Sequence, residues 1–174
     1  WLTGMPNAIY DHRYVFDEIG YNLKPLDLQA AMGLQQLKKL PDLDAARRKN
    51  FKRMKEIFEP YAEYLHLPEA TDKADPCWFA FLMTVKEDAP FKRHKLVAHL
   101  ESNRIQTRSY FAGNILAHPG YSEIAEEYGD IREAFPIASH VTLNSFFLGT
   151  FIGLTDEKLD YIQKVVDDFF KDIK

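Results

Sequence analysis

The stretch WFAFLMTV at residues 78–85 decides the fold. It is short, nearly continuously apolar and rich in aromatic residues, and it ends in charged residues and Pro90. Such a run predicts a β-strand that is buried on both faces. Residues 105–111 and 144–154 predict two further strands. The chain therefore contains a small sheet.

Helical patterns surround these strands. Asp27, a good N-cap residue, is predicted to begin a helix, Pro41 marks a break or a restart, and a second helical stretch runs to about Glu59. Residues 91–103 predict another helix, and Thr155 is expected to cap the last one. Apolar residues recur at helical spacing in the second and last stretches: Phe51, Met54, Phe58 and Tyr61, then Leu159, Ile162, Val166, Phe169 and Ile173. This order predicts an α+β fold, a small sheet covered by helices.

Composition and charge exclude several classes of protein. The chain has 174 residues, of which 46% are hydrophobic and 28% charged, so it is neither disordered nor a fibre or a coiled-coil rod. Its net charge of -4 gives no basic excess for binding nucleic acid. No apolar stretch approaches the roughly 20 residues that span a bilayer. We therefore expect neither nucleic acid nor membrane as a partner.

The cysteine and histidine content limits the chemistry of the chain. Cys77 is the only cysteine, so an intrachain disulfide is impossible and a reducing, cytoplasmic location is expected. Because Cys77 adjoins the strand at 78–85, a packing thiol is favoured over a nucleophile. The six histidines are scattered and predict no metal site, and no Gly-rich phosphate loop is present.

Residues 1–26 differ from the rest of the chain. They are irregular and aromatic but contain few aliphatic side chains, so they need another surface on which to lie. The chain also starts with Trp1, as a fragment of a longer protein would. We expect residues 1–26 to form an arm and residues 27–174 to form a small C-terminal domain.

Two neighbouring motifs carry a family resemblance. The segments GYNLK at 20–24 and QAAMGLQQL at 29–37 resemble the pyridoxal-phosphate sugar aminotransferase and dehydratase family named after DegT, DnrJ, EryC and StrS. WFAF at 78–81, IQTR at 105–108 and FAGN at 111–114 are similar to the branch that removes the C3 hydroxyl of nucleotide-linked 4-keto-6-deoxy sugars, CDP-linked sugars above all. The segment FFLGTFIGL at 146–154 departs from that branch, since it lacks the Trp and Pro expected there.

The resemblance implies the small C-terminal domain of a fold-type I enzyme, with a three- to four-stranded, mainly antiparallel sheet. It also implies a homodimer that uses pyridoxal or pyridoxamine phosphate on a nucleotide-linked 4-keto-6-deoxy sugar. A [2Fe-2S] cluster and an iron–sulfur flavin reductase are further possibilities, with the cluster ligands outside this chain. The catalytic Lys or His position would also lie upstream, so no catalytic residue is expected within these residues.

The resemblance also assigns binding residues. Asn22 matches the Asn that reaches the cofactor phosphate across the dimer, although an Asn in an Asx-turn is the alternative. His12, Tyr14 and Lys24 flank it as sugar-nucleotide contacts, with a plain surface lysine as the alternative for Lys24. Three further residues are candidate substrate contacts.

Those three follow the second predicted strand. Phe111 stands where the aminotransferase branch commonly has His, and it packs against sugar or cofactor unless it is only a core aromatic. Arg108 suits a diphosphate, or else a salt bridge within the strand, and Asn114 suits a sugar hydroxyl. The implied function is C3 deoxygenation in 3,6-dideoxysugar and lipopolysaccharide O-antigen biosynthesis. A sugar aminotransferase is one alternative, and a non-catalytic packing or dimerisation domain is the alternative for these residues when they are isolated.

Overall fold

The computed structural model describes residues 19–21, 23–171 and 173. Its helices are α1 Asp27–Phe58, α2 Arg93–Ser102, α3 Ser122–Glu126, α4 Ile131–Ala134, α5 Pro136–Asn144 and α6 Asp156–Lys171. Its strands are β1 Leu65–His66, β2 Ala80–Val85, β3 Arg108–Ser109 and β4 Ser145–Gly149, and short 3₁₀ turns cover Glu59–Tyr61, Ile115–Ala117 and Pro119–Tyr121. The predicted α+β class is confirmed.

The chain divides into two units, residues 1–38 and Lys39–Lys174. In the first unit, described from residue 19 with the exception of residue 22, the start of α1 carries exposed Leu28, Met32, Leu34 and Leu37. The second unit contains the sheet and its helices. The predicted division into residues 1–26 and 27–174 stays a prediction. Among the described residues, no helix is long and apolar enough to cross a membrane.

Helix α1 begins where it was predicted to begin. Asp27 is its first helical residue, while Leu26 caps it, because the Leu26 carbonyl accepts from the Ala30 N–H at 3.1 Å. The Leu26 N–H in turn donates to Oε1 of Gln29 at 2.8 Å. The predicted break at Pro41 is wrong, because α1 continues past it to Phe58. A proline inside a helix removes one backbone hydrogen bond, and a long helix tolerates that loss.

The sheet has four antiparallel strands in the order β1-β2-β4-β3. The long central pair runs from Ala80 opposite Gly149 to Thr84 opposite Ser145. The predicted strand at 105–111 is wrong over most of its length, since only Arg108–Ser109 pair with β4. Left-handed backbone at Arg104 (φ 61°) and Phe111 (φ 45°) turns the chain on either side of β3.

The hydrophobic core lies on one face of the sheet. Phe81, Met83 and Val85 of β2 are fully buried there against side chains of α1, α2 and α6. The predicted stripes are confirmed, since Met54 and Phe58 of α1 and Leu159, Ile162 and Val166 of α6 all belong to the core. On the other face Leu82 and Thr84 are only half-buried, so burial of this strand on both faces is incomplete.

Candidate functional site

The edge strand β3 and the turn that follows it bring three predicted site residues together. Arg108 lies in β3, opposite Phe147 of β4. Phe111 lies in the turn after β3, and Asn114 caps the 3₁₀ turn Ile115–Ala117. One short stretch at the edge of the sheet therefore presents a cation, an aromatic ring and an amide.

Three phenylalanines, which we call the aromatic cluster, surround this turn: Phe79, Phe111 and Phe147. The ring of Phe147 lies 5.7 Å from that of Phe79 and 5.7 Å from that of Phe111, centre to centre, while Phe79 and Phe111 stack at 6.5 Å. Phe147 is buried, but Phe79 is 60% exposed and Phe111 71% exposed. Two large rings facing solvent on a buried third are typical of a surface that contacts a ligand or a partner.

Phe111 sits in a strained backbone conformation. Its φ of 45° places it in the left-handed region, which a bulky side chain rarely adopts. Its N–H donates to the Ser109 carbonyl at 2.7 Å, so the chain reverses directly after β3. Strain of this kind persists only where neighbouring contacts hold it, and it concentrates at functional sites.

Among the predicted site residues that the structure describes, Asn114 alone is buried, at 6% exposure. Its Oδ1 accepts from the Leu116 N–H at 3.2 Å, and its Nδ2 donates to Oγ of Ser139 at 3.2 Å. A carboxamide has two donor hydrogens and two lone pairs. One hydrogen and one lone pair are thus left over by the described residues, and the sugar contact of Asn114 stays a prediction.

Arg108 is exposed, and within the described part of the chain its guanidinium forms no hydrogen bond or salt bridge. Its charge acts on Glu101 at the end of α2. The pKa of Glu101 is lowered chiefly because its carboxylate accepts from the Thr107 N–H at 2.6 Å and the Thr107 hydroxyl at 2.7 Å, with Arg108 adding to the effect. Glu101 is therefore committed to Thr107, and the donors of Arg108 are available to an anionic ligand.

The other four predicted contacts belong to the first unit of the chain, whereas the turn belongs to the second. His12, Tyr14 and Asn22 lie outside the described residues. Lys24 lies in the first unit, where it is exposed. The roles assigned to all four residues stay predictions.

The prediction that Cys77 packs in the core is wrong, because Cys77 is exposed. Trp78 takes the inward position instead and stacks on Phe51 at 4.9 Å. A hydrogen bond to the Asp44 carboxylate raises the pKa of the Cys77 thiol, and burial adds to the rise. A thiol kept protonated is a poor nucleophile. No group of His, Cys, Asp and Glu side chains among the described residues is arranged to hold a metal ion.

Sequence reasoning missed three residues of this site, Phe79, Phe147 and Thr142. The two phenylalanines lie in the apolar runs that predict β2 and β4. In β4, period-two alternation places Phe147 on the face opposite the core residues Phe146 and Leu148, and that alternation was the available signal. Phe79 precedes β2 and has the parity of the core residue Phe81, so alternation does not identify it. Thr142 of α5 contacts the turn through a hydroxyl group, and no local pattern in the sequence indicates such a contact.

Comparison with known proteins gives three consistent findings. The sequence model of the DegT/DnrJ/EryC1/StrS aminotransferase family matches residues 2–167. A dTDP-4-dehydro-2,6-dideoxy-D-glucose 3-dehydratase of Saccharopolyspora spinosa is 41% identical over 92% of this chain, and the lipopolysaccharide biosynthesis protein RfbH of Salmonella typhimurium is 38% identical over 97%. The chain spans only 34% and 38% of the length of these two relatives.

A solved structure agrees with these relatives. The E. coli GDP-4-keto-6-deoxy-D-mannose-3-dehydratase with bound hydrated PLP superposes with a TM-score of 0.72 at 29% identity, over 95% of this chain and 41% of that chain. The likeness confirms the predicted α+β fold as part of a protein with the aminotransferase fold.

Proposed function

Since the chain belongs to the DegT/DnrJ/EryC1/StrS aminotransferase family, we propose that it is the C-terminal part of a nucleotide-sugar 3-dehydratase. The full-length enzyme binds a nucleotide-linked 4-keto-6-deoxyhexose and replaces the C3 hydroxyl by hydrogen. The product is a 3,6-dideoxysugar precursor for surface polysaccharide such as lipopolysaccharide O-antigen. The 3-dehydratase of S. spinosa and RfbH of S. typhimurium support this proposal.

The observation that carries the proposal is the exposure and placement of Phe111. Its ring is 71% exposed on a strained turn beside Phe79. By resemblance, the aminotransferase branch commonly has His at this position. A phenyl ring neither donates nor accepts a proton, but it packs against an apolar sugar face and excludes water. Elimination of a hydroxyl benefits from a water-poor surface that does not protonate competing positions.

The other residues of the turn fit the remainder of such a substrate. Arg108 offers planar donors that match a diphosphate oxygen pair. Asn114 holds the turn and keeps one donor and one acceptor for a sugar hydroxyl. Apolar, cationic and amide groups thus lie side by side along the edge of the sheet.

The cofactor of this proposal is pyridoxamine phosphate. When bound, it supplies an amine that condenses with the C4 ketone and a ring that accepts electrons as the C3 hydroxyl leaves. The exposed faces of Phe79 and Phe111 fit a planar ring or a sugar. The phosphate contact falls to Asn22, as the resemblance implies.

Replacement of the hydroxyl by hydrogen consumes two protons and two electrons and releases water. We assign the electrons to an iron–sulfur flavin reductase. A [2Fe-2S] cluster would supply one-electron chemistry, and its ligands would lie outside this chain, since one cysteine cannot hold it. The enzyme is a homodimer in the cytoplasm. These statements rest on the resemblance alone.

Loss of an oxygen label from C3 tests the reaction without a reductase. The full-length protein, loaded with pyridoxamine phosphate, is mixed with a CDP-, dTDP- or GDP-linked 4-keto-6-deoxyhexose that carries ¹⁸O only at C3. Reversible elimination exchanges that oxygen with water, and mass spectrometry detects the loss. A sugar that carries a C4 hydroxyl in place of the ketone is the matched control, and it keeps its label.

The two alternatives give different results. A sugar aminotransferase retains the C3 label and, with glutamate as amine donor, yields a 4-amino sugar. A non-catalytic packing or dimerisation domain is the alternative for the isolated 174 residues, which are then expected to give neither product. Retention of the label with all three nucleotides contradicts the proposal.

A further inference from the structure

The turn that carries Phe111 contains two left-handed residues close together. Phe111 has a φ of 45° and Gly113 a φ of 62°. Glycine adopts this conformation without cost, but phenylalanine does not. The Phe111 conformation therefore depends on contacts that hold the rest of the turn in place.

Helix α5 supplies those contacts through Thr142. The Thr142 hydroxyl accepts from the Asn114 N–H at 2.6 Å and donates to the Ala138 carbonyl at 2.7 Å. Because the one hydroxyl hydrogen of Thr142 is donated to Ala138, an oxygen lone pair of Thr142 accepts the Asn114 N–H. The hydroxyl thus links the backbone of α5 to the end of the turn.

Thr142 also fixes the turn sterically. A Cβ on Gly113 would lie 2.8 Å from Cβ and Cγ2 of Thr142, well inside van der Waals contact. The backbone of the turn therefore rests directly on this side chain, and residue 113 must be glycine for two reasons, its positive φ and this close approach. A second link, from Asn114 to Ser139, joins the same turn to the same helix.

We propose that Thr142 is a positioning residue that sets the place of the Phe111 ring. The effect of Thr142 on catalysis rests on the proposed function. The effect of Thr142 on the position of the Phe111 ring does not depend on that function. Thr142 touches neither Phe111 nor the aromatic cluster in the contacts described, so it acts through Asn114 and Gly113. Loss of its hydroxyl frees the turn, and the Phe111 ring then samples several positions.

Three variants of the full-length protein test this role. Thr142→Val keeps the shape of the side chain but removes the acceptor of the Asn114 N–H. Thr142→Ser keeps the hydroxyl and is the conservative control. Thr71→Val, at an exposed threonine between β1 and β2, makes the same chemical change away from the turn.

The first readout requires no activity. With 4-fluorophenylalanine incorporated at position 111 alone, the wild type, Thr142→Ser and Thr71→Val are expected to give one sharp ¹⁹F signal at the same shift. Thr142→Val is expected to give a shifted or broadened signal. Hydrogen exchange of the Asn114 amide is expected to be about tenfold faster in that variant, as for the loss of one hydrogen bond. An unchanged signal and unchanged exchange overturn the inference.

The second readout is turnover in the ¹⁸O assay. Thr142→Val is expected to lower kcat about tenfold with KM changed by less than about twofold, because the binding groups remain while the ring loses its place. Changed spectra with an unchanged kcat overturn the positioning role. If the wild-type protein exchanges no oxygen, the proposed function fails, and the ¹⁹F and exchange data still decide whether Thr142 holds Phe111.

Discussion

Replacing Tyr61 by Phe should destabilise the protein at neutral pH but not at high pH. Tyr61 stacks on Phe170 with ring centres 3.9 Å apart, and its hydroxyl donates to Asp167 at 2.7 Å. Burial in the first place, and the neighbouring Asp167 carboxylate in the second, raise the pKa of Tyr61 from 10.0 to about 12. Tyr61→Phe keeps the ring and removes the hydroxyl, so it isolates the contribution of this group.

The direction of the pH dependence follows from the pH at which Tyr61 loses its proton in the folded and in the unfolded state. Above pH 10 the unfolded chain ionises Tyr61 while the folded chain does not, so the free energy of unfolding falls as pH rises from about 10 to about 12. A pKa raised from 10.0 to about 12 corresponds to about 2–3 kcal/mol over that window. The stabilisation is complete below pH 10.

The hydrogen bond from Tyr61 to Asp167 sets the difference in stability between the two proteins below pH 10. At pH 8 the loss of a hydrogen bond to a carboxylate costs about 1–2 kcal/mol. By pH 11 the wild type has lost about 1.4 kcal/mol through ionisation of the unfolded state, so the two proteins should be nearly equal in stability. Urea unfolding at pH 8, 9.5 and 11, followed by circular dichroism, measures the difference.

Asp167→Asn sharpens the test. It keeps an acceptor for the Tyr61 hydroxyl but removes the charge. The loss of unfolding free energy above pH 10 should then become smaller without vanishing, because burial is the larger cause of the raised pKa of Tyr61. A stability difference between Tyr61→Phe and the wild type that stays constant from pH 8 to pH 11 would refute the reasoning.

Three further predictions concern the turn and its neighbours. Phe111→Leu should lower kcat for C3 oxygen exchange about tenfold, whereas Phe111→His should lower it further by adding a protonatable group, and both are checked in the ¹⁸O assay. Arg108→Gln should raise KM for the nucleotide sugar about tenfold or more with little change in the free energy of unfolding, since the side chain is exposed, and a KM within about twofold of wild type would speak against a diphosphate contact. Gly113→Ala should destabilise the turn by about 2 kcal/mol or more, measured as faster hydrogen exchange from residues 110–118, and unchanged exchange would show that the turn does not need glycine.

The sequence predicted the elements that have a strong period. The stripes of α1 and α6 place Phe58 and Ile162 in the core because an apolar residue every three or four positions has one physical solution, a helix with one buried face. The run at 78–85 predicted β2 because it is short and nearly continuously apolar, not because of a period. The prediction from Pro41 was wrong, because the free-energy cost of one proline is outweighed by the helical residues on both sides of it.

The site was less accessible to sequence reasoning than the core. Strand β3 has only two residues, because the positive φ of Phe111 turns the chain away at once, and no pattern in residues 105–111 signals that turn. The resemblance selected Phe111 and Asn114 by position, and their contacts with a substrate stay predictions. It did not identify Thr142, whose role comes from a hydroxyl brought across 28 residues of chain to the Asn114 N–H.

The burial pattern predicts that stability and the proposed function are separated in this fold. Within residues 110–144, all of which the structure describes, Asn114 is the only buried residue, so this segment gives no apolar side chain to the core. Polar contacts help to hold it, among them the Asn114 N–H to the Thr142 hydroxyl, His118 to the Ala112 carbonyl at 2.8 Å, and the Asp130 cap on Arg132. A change in the core such as Tyr61→Phe should therefore move the free energy of unfolding and leave kcat alone, while Thr142→Val should do the reverse. Equal effects of both variants on both quantities would mean that the turn and the core unfold as one unit.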